Sequence, residues 1–332
     1  MSEINENNAA SKSFKIISTG TLKGGVGKSN VIFNLSGILA EELLRDAFKQ
    51  KGLSEPVQDA LLAAAAAGEN TNISDLLKEI GGAHRLLLID ADPQFNLTNN
   101  VGIDVRVPGL ETTQQIFESS KKAEELIYRS PIQGLPNIDI IPSSLFLTKT
   151  EMNLVSRTGR EMLFFYFIKK NLDYLNEHYR YICIDTNPNL YMINQNVFLS
   201  SDDIIIVSDC SFNSISGAEF FMALWTDTKE HLRPSDNFRS IIVNKYDTRS
   251  NKRSADFLEY CQDPSNEAIA NLLIKQYIPL NERLVDTEIV HQPINILNLK
   301  TSAERESRKK ALSAYYSIMA ELRERGILYA KK

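Results

Sequence analysis

The chain has 332 residues, 43% hydrophobic and 24% charged, with a formal net charge of −5. That balance fits an ordinary globular protein of one large or two modest domains and gives no global nucleic-acid signal. No apolar run approaches the roughly 18–20 residues needed to span a bilayer, and the opening MSEINENNAASKS is polar and lacks the apolar core of a secretory signal.

Residues 1–13 are expected to form a disordered tail. FKIIST (14–19) is a short apolar strand, followed by a glycine-rich stretch, GTLKGGVGKSN (20–30). Behind it Ile32, Leu35, Leu39 and Leu43 fall on one helical stripe. Residues 46–84 interrupt the rhythm. Ser54-Glu55-Pro56 reads as a helix start, DALLAAAAAG as a strong helix former closed by Gly68, and ISDLLKEIGG as another short helix ending at Gly81. This is a helical insertion, either a surface elaboration or a contact for a partner.

HRLLLIDAD (84–92) is a continuous apolar run ending in carboxylates, the pattern of a buried parallel strand. The same form recurs in YRYICIDTN (179–187), DDIIIVSD (202–209) and FRSIIVNKYD (238–247), with helical segments at 151–177, 214–230 and 302–325. Strand–helix alternation of this kind predicts an α/β fold: a doubly wound, mostly parallel sheet with helices on both faces. A single domain is expected over 14–326, with 327–332 a C-terminal tail. Cys183, Cys210 and Cys261 are scattered without C-x-x-C spacing, which speaks against a zinc site, an iron–sulfur cluster or a disulfide framework and points to a reducing cytoplasm.

Polar residues gather at the carboxyl ends of the predicted strands, where such sheets bind ligands. The ordinary phosphate loop, G-x-x-x-x-G-K-S, requires glycine at position 22, but Leu22 stands there. The variant K-G-G-V-G-K-S runs from Lys23 to Ser29 and carries two lysines. A glycine-rich turn from strand to helix aims backbone N–H groups at phosphate, and the helix dipole adds positive potential. Lys28 would neutralise the phosphates and the Ser29 hydroxyl would ligate Mg²⁺; Lys23 taken alone reads equally as a solvated loop lysine. Asp90 and Asp92, two apart in a strand, share one face, and Asp185 ends a third apolar strand as a candidate outer-shell acid for the metal. Each of these acids, taken singly, also reads as a strand-end turn residue.

KGGVGKS, LLLIDADPQFNLT and YICIDTNP resemble the deviant Walker A, A′ and Walker B motifs of the ParA/MinD family of P-loop ATPases. IIVNKYDTRS and IPLNERLVDTEIVHQPI resemble later ParA segments, so the similarity covers about residues 14–325 apart from the insertion. The resemblance implies a Mg²⁺-dependent ATPase of P-loop fold, with Gly24, Gly25, Val26, Gly27, Lys28, Ser29 and Asn30 as the nucleotide loop. It implies that Lys23 reaches across an ATP-sandwich homodimer to the nucleotide of the other subunit. It also makes Asp92 the acid that positions the hydrolytic water, Asp90 a group near the metal shell and Asp185 the Walker B acid. Asn244 becomes an adenine contact, though a strand-end asparagine is as often a turn residue. Two departures stand out: Asn187 replaces a usual proline, and Asn30 stands where threonine is common.

The family implies a DNA-segregation role: a cytoplasmic, nucleoid-associated dimer that binds DNA nonspecifically and meets a ParB-like centromere-binding protein. Residues 283–332 hold ten Lys/Arg against six Asp/Glu, and phosphate contacts need only basic side chains. The candidates are Arg249, Arg253, Arg283, Arg305, Arg308, Lys309 and Lys310, each of which alone also reads as a solvated charge. The alternative is a MinD-like membrane-positioning ATPase, but ELRERGILYAKK offers only a short apolar patch after Gly326, so no stable membrane association is expected.

Overall fold

The computed structural model describes residues 11–69, 72–80, 83–229, 237–247, 251–263 and 266–331. Its strands are β1 (Lys15–Gly20), β2 (Arg85–Ala91), β3 (Tyr128–Arg129), β4 (Ile138–Ile141), β5 (Tyr179–Thr186), β6 (Asp203–Asp209) and β7 (Phe238–Asn244). They form one sheet in the order β3-β4-β2-β5-β1-β6-β7. Every pairing is parallel except that of the edge strand β3 with β4.

The early helices are α1 (Lys28–Gln50), α2 (Glu55–Ala66), α3 (Ile73–Ile80), α4 (Asn96–Asn100), α5 (Gln114–Glu118), α6 (Ala123–Leu126) and α7 (Leu147–Leu154). Then come α8 (Leu163–Lys170), α9 (Leu172–His178), α10 (Met192–Ser200), α11 (Phe212–Lys229), α12 (Asn251–Gln262), α13 (Glu267–Leu272), α14 (Glu282–Ile289) and α15 (Ser302–Glu324). Alternate strand residues feed opposite cores, as a sheet covered on both faces requires. Ile17, Leu86 and Leu88 pack under α1 and α15 with Ile32, Leu35 and Ile318. Ile16, Leu87 and Ile89 pack on the other face with Phe164, Phe198, Phe221 and Trp225.

The predicted doubly wound sheet is therefore the observed one, with differences that have local causes. The β3–β4 pair lies outside the sequence expectation: strands of two and four residues are too short to show a period. The helical segment 151–177 is broken into α7, a 3₁₀ turn at Arg160–Met162, α8 and α9, with Gly159 in the left-handed region at φ 68°. Within the insertion both expected helices form, and Leu62, Ala65, Ile73 and Leu77 are buried in the same core as α1.

Both ends of the domain reach further than expected. Residues 1–10 lie outside the described residues, but Lys12 pairs with Asp202 at 2.5 Å and the Ser13 amide donates to Asn176 at 2.7 Å. At the other end Ile327 and Leu328 are buried, and the Tyr329 amide donates to the Tyr181 hydroxyl at 3.0 Å.

Candidate active site

The loop between β1 and α1 follows from three glycines and two anchors, one at the end of β7 and one directly after it. Gly27 precedes the helix at φ 89°, a conformation that L side chains rarely adopt, and a Cβ there would meet Asn244 Nδ2 at 2.4 Å. That amide donates to the Val26 carbonyl at 2.9 Å. Lys245, itself at φ 57°, donates from Nζ to the Gly25 carbonyl at 2.7 Å. Side chains added at Gly24 or Gly25 would meet no atom within 4 Å, so the face of the loop away from β7 is open. It borders a cavity of about 370 Å³ lined also by Lys28, Ser29 and Asp92.

Lys28 is 7% exposed. Burial lowers its pKa, while the charges of Asp185 and Asp92 act to retain the proton. Ser29 Oγ donates to one oxygen of Asp185 and Thr19 Oγ1 donates to the other at 3.0 Å. Asp185 lies opposite Asp90 in the β2–β5 register. Both carboxyls are raised above the ordinary range by burial, and the charge of Asp185 raises Asp90 further. Asp92 lies on the cavity wall, also raised by burial, with Oδ1 accepting from the Gln94 amide at 2.8 Å.

Other predicted residues have different surroundings. Both Asp90 oxygens are engaged within its own chain segment: Oδ2 by the Thr98 amide and hydroxyl at 2.8 and 2.7 Å, Oδ1 by the Asp92 amide at 3.1 Å. Asp90 thus fastens the turn that carries Asp92. Lys23 pairs with Asp209 at 2.7 Å and donates to Ser211 Oγ at 2.7 Å, both on its own chain. Asn30 borders the cavity, but its amide nitrogen donates to the Leu284 carbonyl at 2.7 Å and to Glu288 at 2.8 Å, tying α1 to α14. Asn244 holds the loop, as described above.

The basic candidates separate in the same way. Arg283 pairs with Asp286 at 2.6 Å and Glu304 at 3.4 Å. Arg308 donates to the Leu297 carbonyl at 2.7 Å. Arg305, Lys309 and Lys310 are exposed along the first half of α15. Arg249 lies outside the described residues, as does the side chain of Arg253 on α12. Sequence reasoning missed Lys245, Gln94, Asn96, Asn100 and Glu288, all on the cavity wall. Lys245, Gln94, Asn96 and Glu288 lie inside the segments that carry the family resemblance, which was their signal; Asn100 had none.

A buried ammonium, open backbone amides and a hydroxyl–carboxylate pair suit a phosphate chain with a hard divalent cation. No group of three or more His, Cys, Asp or Glu placed to hold a metal occurs among the described residues. A cation here therefore needs phosphate and water oxygens to complete its shell.

The family model described as AAA domain matches residues 66–237. An uncharacterized protein of Mycobacterium tuberculosis is 28% identical over 232 residues, which cover 67% of this chain and 66% of that protein. The match thus spans just under two thirds of that relative. The chromosome partitioning protein ParA of Caulobacter vibrioides is 23% identical over 302 residues, covering 90% of this chain and 92% of the relative. Among solved structures, the ATP complex of a Cyanothece McdA variant aligns at TM-score 0.65 and 17% identity, over 93% of this chain and 98% of that one. That likeness establishes the fold.

Proposed function

The chain belongs to the AAA-domain family and is an ATPase of ParA/MinD type, and on that premise we propose that it drives partition of a DNA cargo. In this reading an ATP-bound homodimer holds DNA nonspecifically and lets go after hydrolysis, which a ParB-like partner stimulates. The observation that carries the reading is the group at the strand ends: Lys28 buried beneath the glycine loop, with Ser29–Asp185 and Asp92 at the same cavity.

Each residue then has a defined task. The loop amides and Lys28 bind the β- and γ-phosphates of ATP. Ser29 and Asp185 would hold Mg²⁺, which when bound would neutralise phosphate charge. Asp92 accepts a hydrogen bond from the attacking water and orients it. Asp90 keeps Asp92 in place through Thr98. Lys23 exchanges Asp209 for the nucleotide of the partner subunit as the dimer closes.

The membrane-positioning alternative would use the apolar pair after Gly326. Ile327 and Leu328 are instead consumed by the core, and no helix among the described residues is long and apolar enough to cross a membrane. Co-sedimentation of the protein with DNA or with anionic liposomes, in ATP and in ADP, tests the reading. DNA pelleting in ATP alone is expected; liposome pelleting without DNA pelleting would replace partition by membrane positioning.

A further inference from the structure

A second cavity, of about 530 Å³, opens where β2 begins. The strand rises about 3.3 Å per residue, which sets Arg85 at the start of β2 roughly 17 Å from Asp90 near its end. The walls carry Arg85, Arg129, Lys78, His84 and His178, with Glu177 as the one carboxylate among the lining residues. One wall is α3, part of the insertion that the nucleotide site does not use.

Beneath the wall, two arginines converge on one carboxylate. Asp139 is fully buried beneath the cavity. Arg85 Nε donates to its Oδ2 at 2.7 Å, a second Arg85 nitrogen reaches its Oδ1, and Arg129 Nη1 donates to Oδ2 at 3.1 Å. The Ser130 amide at 3.0 Å and the Tyr179 hydroxyl at 2.8 Å complete its acceptor capacity. Two guanidiniums therefore share one saturated carboxylate, which leaves a net positive charge half-buried on the cavity wall. Arg85 spends its Nε/Nη2 fork on Asp139, and the further N–H groups of the two guanidiniums suit charge-assisted hydrogen bonds to phosphate oxygens.

We propose that this cavity is a second anion site that takes a small phosphate-bearing ligand, with the insertion helix α3 as one wall. Lys78 stands at the rim, its side chain 78% exposed and paired with the exposed Asp75 at 3.1 Å, a surface pair it can exchange for a ligand, while Arg85 and Arg129 are pre-oriented by Asp139. The volume lies in the range of small-molecule sites, and the inference does not depend on the partition role.

The chain has four histidines, so His84 and His178 serve as built-in reporters. The test follows histidine ring NMR signals of the full chain, saturated with ADP–Mg²⁺ to occupy the first site, during titration with inorganic phosphate. His84 and His178 are expected to shift saturably while His291, outside the cavity lining, stays still. Lys78→Gln and Arg129→Gln should each weaken the apparent affinity about tenfold. Lys78 is exposed enough for its replacement to leave the fold intact, whatever Arg129→Gln does. A nucleoside monophosphate is titrated in parallel, and the tighter of the two ligands identifies an ester or the free ion as the source. No saturable shift with either probe, or shifts undiminished in both variants, would overturn the proposal.

Discussion

At the scale of single side chains, the proposed mechanism assigns nucleotide binding to Lys28 and water positioning to Asp92, and the two assignments can be tested separately. Lys28 is the buried cation at the glycine loop, and charge-assisted bonds to phosphate contribute about 1.5–3 kcal/mol each. Lys28→Ala should weaken ATP binding about 100-fold in a fluorescent-nucleotide titration; near-native affinity would remove it from the phosphate site. Asp92→Ala should retain ATP-dependent dimerisation and lose about 100-fold or more in turnover, as loss of a water-positioning group does. Full turnover in that variant would end the assignment. Asp90 and Asp185 make a third test, of stability. Their folded-state pKa values lie above the ordinary carboxylate value, so the native state binds more protons than the unfolded chain. Stability without nucleotide is thus greatest below about pH 4 as far as these two groups decide it. It declines as pH rises through the raised values. Urea midpoints between mildly acid and mildly alkaline pH should fall, and Asp90→Asn should flatten the slope by removing one of two facing charges. A slope identical in the variant would contradict the coupling.

At the scale of elements, the glycine loop depends on β7. Gly27→Ala would place a methyl group against the Asn244 amide in a backbone region costly for alanine by about 1–2 kcal/mol. Nucleotide affinity and thermal stability should fall together, and an alanine variant that binds ATP normally would show that the loop does not need this packing. Much of this architecture is legible in the chain. β2, β5 and β6 announce themselves because unbroken apolar runs bounded by carboxylates have few other uses, and the phosphate loop declares itself by its position between strand and helix. The hand-offs between distant segments are not legible. Asn30 looks like a loop residue from its neighbours and turns out to bind α14, more than 250 residues away in sequence. Asn244 sits at a strand end, as expected of an adenine contact, but holds Val26. Nothing local to Lys23 reveals Asp209. Such pairings are set by how strands are ordered in the sheet, which periodicity does not encode.

At the scale of the whole molecule, the structure redistributes the basic excess of residues 283–332. Arg323 and Lys331 both pair with Glu42, and Arg325 pairs with Glu321 while donating to the carbonyls of Leu272 and Leu273. Arg283 and Arg308 are likewise engaged within the fold. These residues tie α15 and the final segment to the domain, and replacing them tests folding rather than DNA binding. Arg305, Lys309 and Lys310 remain as an exposed group on α15. Lys309→Glu combined with Lys310→Glu should therefore leave the melting temperature near wild type while weakening ATP-dependent DNA binding. Each phosphate contact adds about 0.9 to the slope of log affinity against log salt. A dimer that loses two contacts per subunit should show a slope shallower by up to about four. DNA sequence should matter little, since backbone contacts carry no base information. Binding would be followed by fluorescence anisotropy of labelled duplexes at several salt concentrations, with ATP and with ADP, alongside Arg308→Ala. If α15 forms the DNA surface, the double variant loses affinity and salt dependence while Arg308→Ala mainly lowers the melting temperature. An unchanged salt slope in the double variant would move the DNA surface away from α15.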